Sequence, residues 1–461
     1  MVTPSGACAL NWTISPDVTL SSERAIDTSI AARMREDWNA RAREDAYYYV
    51  AFGRREQEDA EFLGTASDVI RLLTADLRRL PRGDARARRA LEIGCGPGRL
   101  LRPMSRFFGE IHGVDISDEM IGLARRKLAD IAHAHAHHAA DSDLRAFASE
   151  SFDFVYSYAV FQHIPSREVV LGYLAEAYRV LKPGGVLRCQ INGLPRTAKE
   201  FDTWSGVRFS AAEVAEFLDG LGFRLLALEG RETQYMWVCG VKGGAAAEAG
   251  RARIRRVTAA HSSEPAAPVR GGFAALNLWV EDLPPGVSLV GLGIEAGGRA
   301  AEGTFIGPPE YDGMRQVTLL LPEGLPTGLQ PLRLTWRGEA LCEPAFVRLL
   351  PAPPLVPRLV SANDGVDLLS GTRIVTGTVK ATVEEMLDPA QFSATLGGAA
   401  VEVEDTFCTD PRLPRYEVNF RVPGSLEAGP HELLARVGRR TLAAVTLEVA
   451  FMRGGSPGPP G

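Results

Sequence analysis

No stretch of this 461-residue chain reaches the run of about eighteen apolar residues that a membrane-spanning helix needs. Residues Met1 to Thr13 have no basic segment followed by an apolar core, so no secretory signal is read there. Cysteine is sparse. The six residues (Cys8, Cys95, Cys189, Cys239, Cys342 and Cys408) are scattered, and none forms a C-x-x-C pair. That pattern argues against a disulfide framework or a zinc ribbon and suits a reducing compartment, so a cytoplasmic location is expected. An excess of basic residues is missing too. The net charge of −6 supplies no general field for nucleic acid, and no nucleic-acid partner or membrane span is expected. With 45% apolar residues, the chain can build well-packed cores in two or three domains.

The most informative segment is Ala90 to Leu100, A-L-E-I-G-C-G-P-G-R-L. Ala90, Leu91 and Ile93 read as a short buried strand. The strand runs into glycines at alternate positions, Gly94, Gly96 and Gly98. Leu100, Leu101, Met104, Phe107 and Phe108 then recur at helical spacing. Glycine permits positive φ and close approach of the backbone to a ligand, and a helix N-terminus favours an anionic group. A dinucleotide-binding turn requires G-x-G-x-x-G. Here the third glycine comes one position early, and Arg99 occupies the place of the last glycine.

A second strand is predicted over Glu110 to Asp115, with Ser117, Asp118 and Glu119 opening the next helix through a cap and first-turn acids. By itself Asp115 is equally well read as a helix-capping aspartate. The glycine turn upstream favours a role at a ribose, where an acid ending the second strand accepts hydroxyl hydrogen bonds. Ser151 to Tyr158, followed by Ala159-Val160-Phe161-Gln162-His163-Ile164-Pro165, reads as a further strand and loop. Glu176 to Gly185 ends in Lys-Pro-Gly-Gly before another strand.

The E-x-G-x-G-x-G turn with Cys95 inside it, Asp115, the Asp141-Ser142-Asp143-Leu144 loop, the S-F-D-x-V-x-S strand with its His-Ile loop, and Lys-Pro-Gly-Gly occur in order across Ala90 to Asn192. Together they resemble the Rossmann-like (class I) S-adenosylmethionine (SAM) methyltransferases. The resemblance implies an α/β fold with a seven-stranded sheet, its last strand antiparallel. It also implies SAM as cofactor, held by Glu92, Gly94, Cys95, Gly96, Gly98 and Asp115. Ile116 and Met120 would pack near the adenine, the Asp143-Leu144 loop would meet its amino group, and Tyr158 and Gln162 would orient the methionine end or the acceptor. His163 is the best-placed titratable group for a catalytic base. The bland reading is a loop histidine that bonds a backbone carbonyl and shapes the pocket. Trp204, Gln234 and Tyr235 are candidates for the pocket wall, with core packing favoured for Trp237.

The third strand should fall near Ile131 to Ala140, where His133, His135 and His137 alternate with alanine. A histidine face of this kind can bind metal. An edge strand of drifted composition is the favoured reading, and no metal is assigned.

Residues 1–30 read as a loose N-terminus. Residues 31–244 read as the methyltransferase domain, beginning with a helical lid in which Tyr47, Tyr48 and Tyr49 cannot all face one way. Either one of them reaches the cofactor or they pack the lid. A helix is expected from Ser210 through Leu221, with strands at Phe223 to Glu229 and Tyr235 to Lys242. After a Gly/Ala linker the texture changes to short alternating runs punctuated by Pro and Gly, the pattern of all-β sandwiches. Two such domains are expected, at 252–350 and 355–450, before a disordered tail at 451–461. Pro322, Leu325, Gly328 and Leu332 match Pro423, Leu426, Gly429 and Leu433 at one constant offset, which marks a duplication. The pair resembles immunoglobulin-like domains of the IPT/TIG type. The whole chain resembles bacterial methyltransferase-domain proteins that carry such β domains.

The leading reading is methyl transfer from SAM to an O- or N-nucleophile of a small-molecule or glycan acceptor, with the β domains binding a protein or glycan partner. The alternatives are a non-catalytic SAM-binding scaffold, or a protein or nucleic-acid methyltransferase. The N/D-P-P-Y/F tetrapeptide of nucleobase amino-methylation is missing. Ser157-Tyr158-Ala159-Val160 stands in its place.

Overall fold

The computed structural model describes residues 28–51, 55–139, 144–195, 201–243, 252–366, 370–410 and 414–450. The N-terminal expectation for 1–30 and the tail at 451–461 fall almost entirely outside them, as does most of the linker.

Three helices lead the fold: α1 (Thr28–Ala51), α2 (Asp59–Gly64) and α3 (Ser67–Asp76). Helix α1 bends at Asp45, whose φ of −166° leaves helical space. The Asp45 carboxylate accepts the Tyr48 N–H at 3.0 Å and the Glu56 N–H at 2.9 Å, so it caps the second segment.

A βα core follows: β1 (Arg89–Ile93), α4 (Leu101–Met104), β2 (Glu110–Asp115), α5 (Asp118–Lys127), β3 (Ala134–His138), β4 (Phe152–Ser157), α6 (Arg167–Val180), β5 (Leu181–Ile191), α7 (Ala211–Leu221), β6 (Phe223–Glu229) and β7 (Met236–Lys242). Their order in the sheet is β3-β2-β1-β4-β5-β7-β6. The first five strands are parallel, while β7 runs antiparallel to both β5 and β6. This is a Rossmann-like core. Strand β1 sits in the interior with Leu91 and Ala90 fully buried, and so its C-terminal turn opens at the middle of the sheet edge.

Helix α4 is shorter than the apolar spacing through Phe108 predicts. One α-turn is followed by a 3-10 turn, Ser105–Phe107, and Phe108 is already extended. The cause is packing. Phe108 is buried with its ring 5.9 Å from that of Phe154, which pulls the chain directly into β2. Strand β3 lies at the sheet edge. His112 of β2 meets its histidine face, Nδ1 to Nε2 of His137 at 2.9 Å, and His133 Nε2 lies 3.0 Å from the Ser105 carbonyl. Among the described residues no group of three or more His, Cys, Asp or Glu side chains is arranged to hold a metal ion.

The C-terminal strands form two units built alike. In the first, Arg253–Ala259, Ala275–Glu281, Arg315–Leu320 and Arg299–Ile306 pair in that order. Arg299–Ile306 also continues into Leu292–Ala296, Gly328–Trp336, Ala345–Leu350 and Ala266–Pro268. In the second, Arg358–Asp364, Thr378–Glu384, Arg415–Arg421 and Val403–Asp410 pair in the same sequence. A further sheet runs Arg373–Ile374, Val445–Val449, Gly429–Val437, Phe392–Leu396, Ala399–Ala400. The repeated Gly328 and Gly429 both have positive φ, +102° and +139°, at the start of equivalent nine-residue strands. A backbone demand of this kind explains why glycine recurs at both places.

The two units relate differently to the core. The second has its own apolar cluster around Val379, Phe420, Leu433 and Leu447. The first shares one continuous cluster with the Rossmann-like sheet, running from Phe154 and Cys239 through Leu226 to Leu278 and Ile294. Phe305 pairs with Ala227 of β6, and Leu225 exchanges hydrogen bonds with Ser288 and Leu289.

Candidate active site

The turn after β1 is held from beneath. The N–H groups of Gly94 and Cys95 both donate to the Val114 carbonyl, at 2.8 and 2.9 Å. Gly94 has φ +72°, and a Cβ there would fall 2.3 Å from Cγ2 of Val160. Only glycine fits. Gly96 (φ +50°) turns its N–H to Asp115, whose Oδ2 accepts it at 2.8 Å, while Oδ1 accepts the Ser117 N–H at 2.9 Å. Two backbone donors thus orient a carboxylate at the C-terminal end of β2. Burial raises the pKa of Asp115, and the hydrogen bonds from Ser117 and Gly96 oppose that rise.

These elements border a cavity of about 310 Å³ at the C-terminal edge of the sheet. Its wall includes Glu92, Gly94, Cys95, Gly96, Asp115, Ile116, Met120, Tyr158 and His163. Two residues expected at the cofactor do not border it. Gly98 faces α5, where an added Cβ would meet Ala124 at 3.5 Å, so its φ of +85° serves the turn and the helix packing. Leu144 is buried in the core, and its N–H donates to Glu176 at 3.1 Å. Asp143 lies outside the described residues.

Glu92 is buried beside the turn, and the Tyr156 hydroxyl donates to its Oε2 at 3.0 Å. Burial pushes its carboxyl well above the usual range. The Cys95 thiol is also pushed up by burial, which leaves it unreactive as a thiolate. Tyr158 stacks on Trp237 with ring centroids 5.4 Å apart and 12° between planes. Trp237 therefore packs behind the wall, and Tyr235 is part of the wall.

His163 lies in a short 3-10 turn, Phe161–His163, and is 6% exposed. Its Nδ1 is 2.9 Å from the Trp204 carbonyl, which can only accept, so Nδ1 carries the proton. Nε2 faces the Gln162 amide nitrogen at 3.3 Å. The rest of the chain of bonds agrees. Gln162 Oε1 accepts from Gln190 Nε2 at 2.7 Å, Gln190 Nε2 also donates to the Gln234 carbonyl at 2.7 Å, and Gln190 Oε1 accepts the Ala159 N–H at 3.0 Å. Backbone groups at both ends fix every amide and the imidazole tautomer. Burial pulls the His163 pKa down to about 4, so the ring is neutral near pH 7.

The cavity has a roof that motif reading alone does not supply. Met34, Trp38, Tyr49 and Val50 reach it from α1. The Ser117 hydroxyl donates to Asn39 at 2.6 Å, which ties α1 to the start of α5. Of the three consecutive tyrosines, Tyr49 faces the cavity. Tyr47 stacks on Phe62 at 4.0 Å, and Tyr48 is buried. The helical register places Trp38 edge-on to His163, ring centroids 5.4 Å apart. Trp204 is 38% exposed and acts on the site through its carbonyl.

Residues 91–189 match the family model described as a methyltransferase domain, and the chain thus carries such a domain. Among curated relatives, a ubiquinone biosynthesis O-methyltransferase of Sinorhizobium medicae is 32% identical over 99 residues, covering 22% of this chain and 39% of that protein. A trans-aconitate 2-methyltransferase of Azoarcus sp. is 32% identical over 146 residues, 31% of this chain and 52% of that protein. The chain therefore spans about half or less of the length of these relatives. A solved structure of magnesium protoporphyrin IX methyltransferase from Synechocystis is 17% identical, covering 45% of this chain and 98% of that one, with a TM-score of 0.34.

Proposed function

We propose that this protein is a SAM-dependent methyltransferase acting on a small-molecule or glycan acceptor. One observation carries the reading: the glycine turn, the doubly anchored Asp115, and Ile116 and Met120 all border one cavity at the C-terminal edge of the sheet. Ligands of open α/β sheets bind at this edge. The residues fit the cofactor. Asp115 keeps lone pairs for ribose hydroxyls beyond its two backbone bonds, the glycines leave room for close backbone approach, and Ile116 and Met120 offer an apolar bed for the adenine.

The cofactor supplies the activated methyl group, and the protein supplies alignment and a dry site. Helix α1 serves as the lid through Met34, Trp38 and Tyr49. His163 lies at the methyl-accepting side. A neutral imidazole held at both nitrogens is a weak base, so its role is to position the acceptor. This arrangement suits an acceptor atom that is nucleophilic without losing a proton to the protein. The two C-terminal units are β-sandwich modules that bind or position a partner or acceptor.

Calorimetry with SAM and S-adenosylhomocysteine tests the reading directly, followed by a labelled-methyl screen of candidate acceptors. Binding of both nucleosides with no transfer to any acceptor would favour a SAM-binding scaffold. No binding of either would remove the proposal.

A further inference from the structure

The outer face of the first β unit carries an ordered polar cluster that the core does not use. Along Ala275–Glu281 and Arg315–Leu320, Leu276, Leu278, Val317 and Leu319 are fully buried. Asn277, Gln316 and Thr318 alternate with them and take the opposite face. Asn277 lies directly across from Thr318 in the ladder. The three side chains close a ring of hydrogen bonds. Gln316 Nε2 donates to Asn277 Oδ1 at 3.0 Å and to Thr318 Oγ1 at 2.9 Å, and the Thr318 hydroxyl donates to Asn277 Oδ1 at 2.8 Å. The ring uses one end of each amide. Asn277 Nδ2, with two hydrogens, and Gln316 Oε1, with two lone pairs, have no partner among the described residues. Turning both amides over exchanges the roles and again leaves one donor group and one acceptor oxygen free. The ring fixes both side chains, so this donor–acceptor pair is preorganised.

The cluster borders a groove of about 1210 Å³ between this sheet and the core, whose other wall is the start of α7 and the turn Gly230–Glu232 after β6. Charge argues against an anionic occupant. Arg231 is the one arginine or lysine among the described residues of the wall, and Glu302 is its ion-pair partner. Glu213 and Glu229 are paired with Arg167 and Arg188, which do not border the groove, and Glu232 adds a further carboxylate. Backbone addition is closed as well. Ala275–Glu281 and Arg315–Leu320 are each paired on both sides, so an extended peptide finds no open strand edge there. Recognition therefore falls to neutral amides and hydroxyls on a sheet face. A vicinal diol meets a free donor and a free acceptor side by side, because each hydroxyl both donates and accepts. Phe305, across from Thr318 in the neighbouring strand, adds apolar surface to the same wall. The volume exceeds the roughly 300–1,000 Å³ of small-molecule pockets, which suits several linked rings over one.

We propose that this groove binds a neutral oligosaccharide through Asn277 and Gln316. Tyr235, at the far end of the same β6–β7 connection as Gly230, borders the cavity of the candidate active site, so a glycan held in the groove lies beside that cavity. Its link to methyl transfer rests on the SAM reading above, whereas binding in the groove does not.

The test screens the full chain on an array of neutral oligosaccharides, acidic oligosaccharides and extended peptides, followed by calorimetry with each neutral oligosaccharide retained. At least one neutral oligosaccharide should bind. Asn277→Ala and Asn277→Asp should each weaken it roughly three- to tenfold or more. The second variant keeps the acceptors for Gln316 and Thr318 and removes only the free donors. Thermal melts check that both are folded, and Asn277→Asp carries the test should Asn277→Ala fail to fold. Retention of acidic oligosaccharides or peptides alone, or of nothing, overturns the proposal. A neutral oligosaccharide that folded Asn277→Asp binds as tightly as wild type overturns it too. S-adenosylhomocysteine, titrated in parallel, separates the two readings. Its binding without any oligosaccharide removes the groove proposal alone, and oligosaccharide binding without it removes the SAM reading alone.

Discussion

The Arg79 guanidinium donates from Nη1 to the carbonyl of Ile306 at 2.6 Å, across 227 positions of sequence. The side chain is 2% exposed, and its Nε is paired with Asp76 at 2.6 Å. Asp76 in turn meets Arg188 Nε at 3.1 Å, and Arg188 lies 5.1 Å from the Trp237 ring that backs Tyr158. The first β unit therefore completes the shell of a buried charge network that reaches the cavity wall.

Removing that unit should weaken the methyltransferase part. A fragment ending at Gly244 uncovers Arg79, strips β6 of its pairing at Ala227, and leaves Leu225 without Ser288 and Leu289. Buried hydrogen bonds lost in this way cost roughly 1 kcal/mol each, and more where a charge is involved. We expect the fragment to melt at least about 5 °C below a fragment ending at residue 354 in differential scanning fluorimetry. Equal melting temperatures would show that the first β unit is a simple appendage.

Asp115 is expected to carry much of the cofactor affinity. Asp115→Ala should lower SAM affinity at least about tenfold, since charge-assisted hydrogen bonds contribute roughly 1.5–3 kcal/mol. The same change orphans the N–H groups of Gly96 and Ser117, so Asp115→Asn is the cleaner variant. It keeps an acceptor oxygen and should lose less. A folded Asp115→Ala protein with unaltered affinity by calorimetry would remove the central claim.

The depressed pKa of His163 has a signed consequence for stability. Burial holds the folded-state value at about 4, against about 6.5 for an unfolded chain. The unfolded state therefore binds the proton first. His163 contributes its full stabilisation above pH 6.5, and the contribution is lost as pH falls from 6.5 towards 4. The amount is at most about 3 kcal/mol. His112 is held at about 4 by burial as well and acts in the same direction. Thermal melts of wild type should fall across this window, and His163→Gln should flatten part of the slope. His163→Ala should leave SAM affinity within about threefold and raise the acceptor KM. A loss of kcat by 10²-fold or more, together with loss of a wild-type inflection near pH 4, would restore a base role.

Sequence legibility followed the range of the interactions. The glycine turn and Asp115 are local: positive φ, a strand end and a cap are set within a few residues, and residue type reports them directly. The recurrence of Gly328 and Gly429 was legible for the same reason. The roof over the cavity was legible only as a helical lid, and not in the residues that line it. Trp38 and Met34 gain their roles only because α1 packs on α5, and nothing in the spacing of α1 says which face will meet a cavity. The chain from Gln234 through Gln190 and Gln162 to His163 joins three separate segments of sequence. Polar side chains of that kind read as surface until the sheet brings them together. The docking of Phe305 against Ala227 likewise follows from tertiary fit, which alternating apolar runs do not encode.

Gly94 allows two causes of glycine dependence to be separated. Its φ of +72° penalises any side chain, by roughly 1–3 kcal/mol. Independently, an added Cβ would lie 2.3 and 2.6 Å from the two methyl carbons of Val160, itself part of the cavity wall. Gly94→Ala should therefore destabilise the protein by more than the backbone penalty and weaken SAM binding as Val160 is displaced. Val160→Ala removes the overlapping methyls at a modest packing cost. In the double variant the steric part disappears while the backbone part remains, so the two changes should be non-additive by about 1 kcal/mol or more. Denaturant unfolding of the two single variants and the double variant measures this coupling. Strict additivity would mean that backbone conformation alone requires glycine here, and that Val160 does not press on the turn.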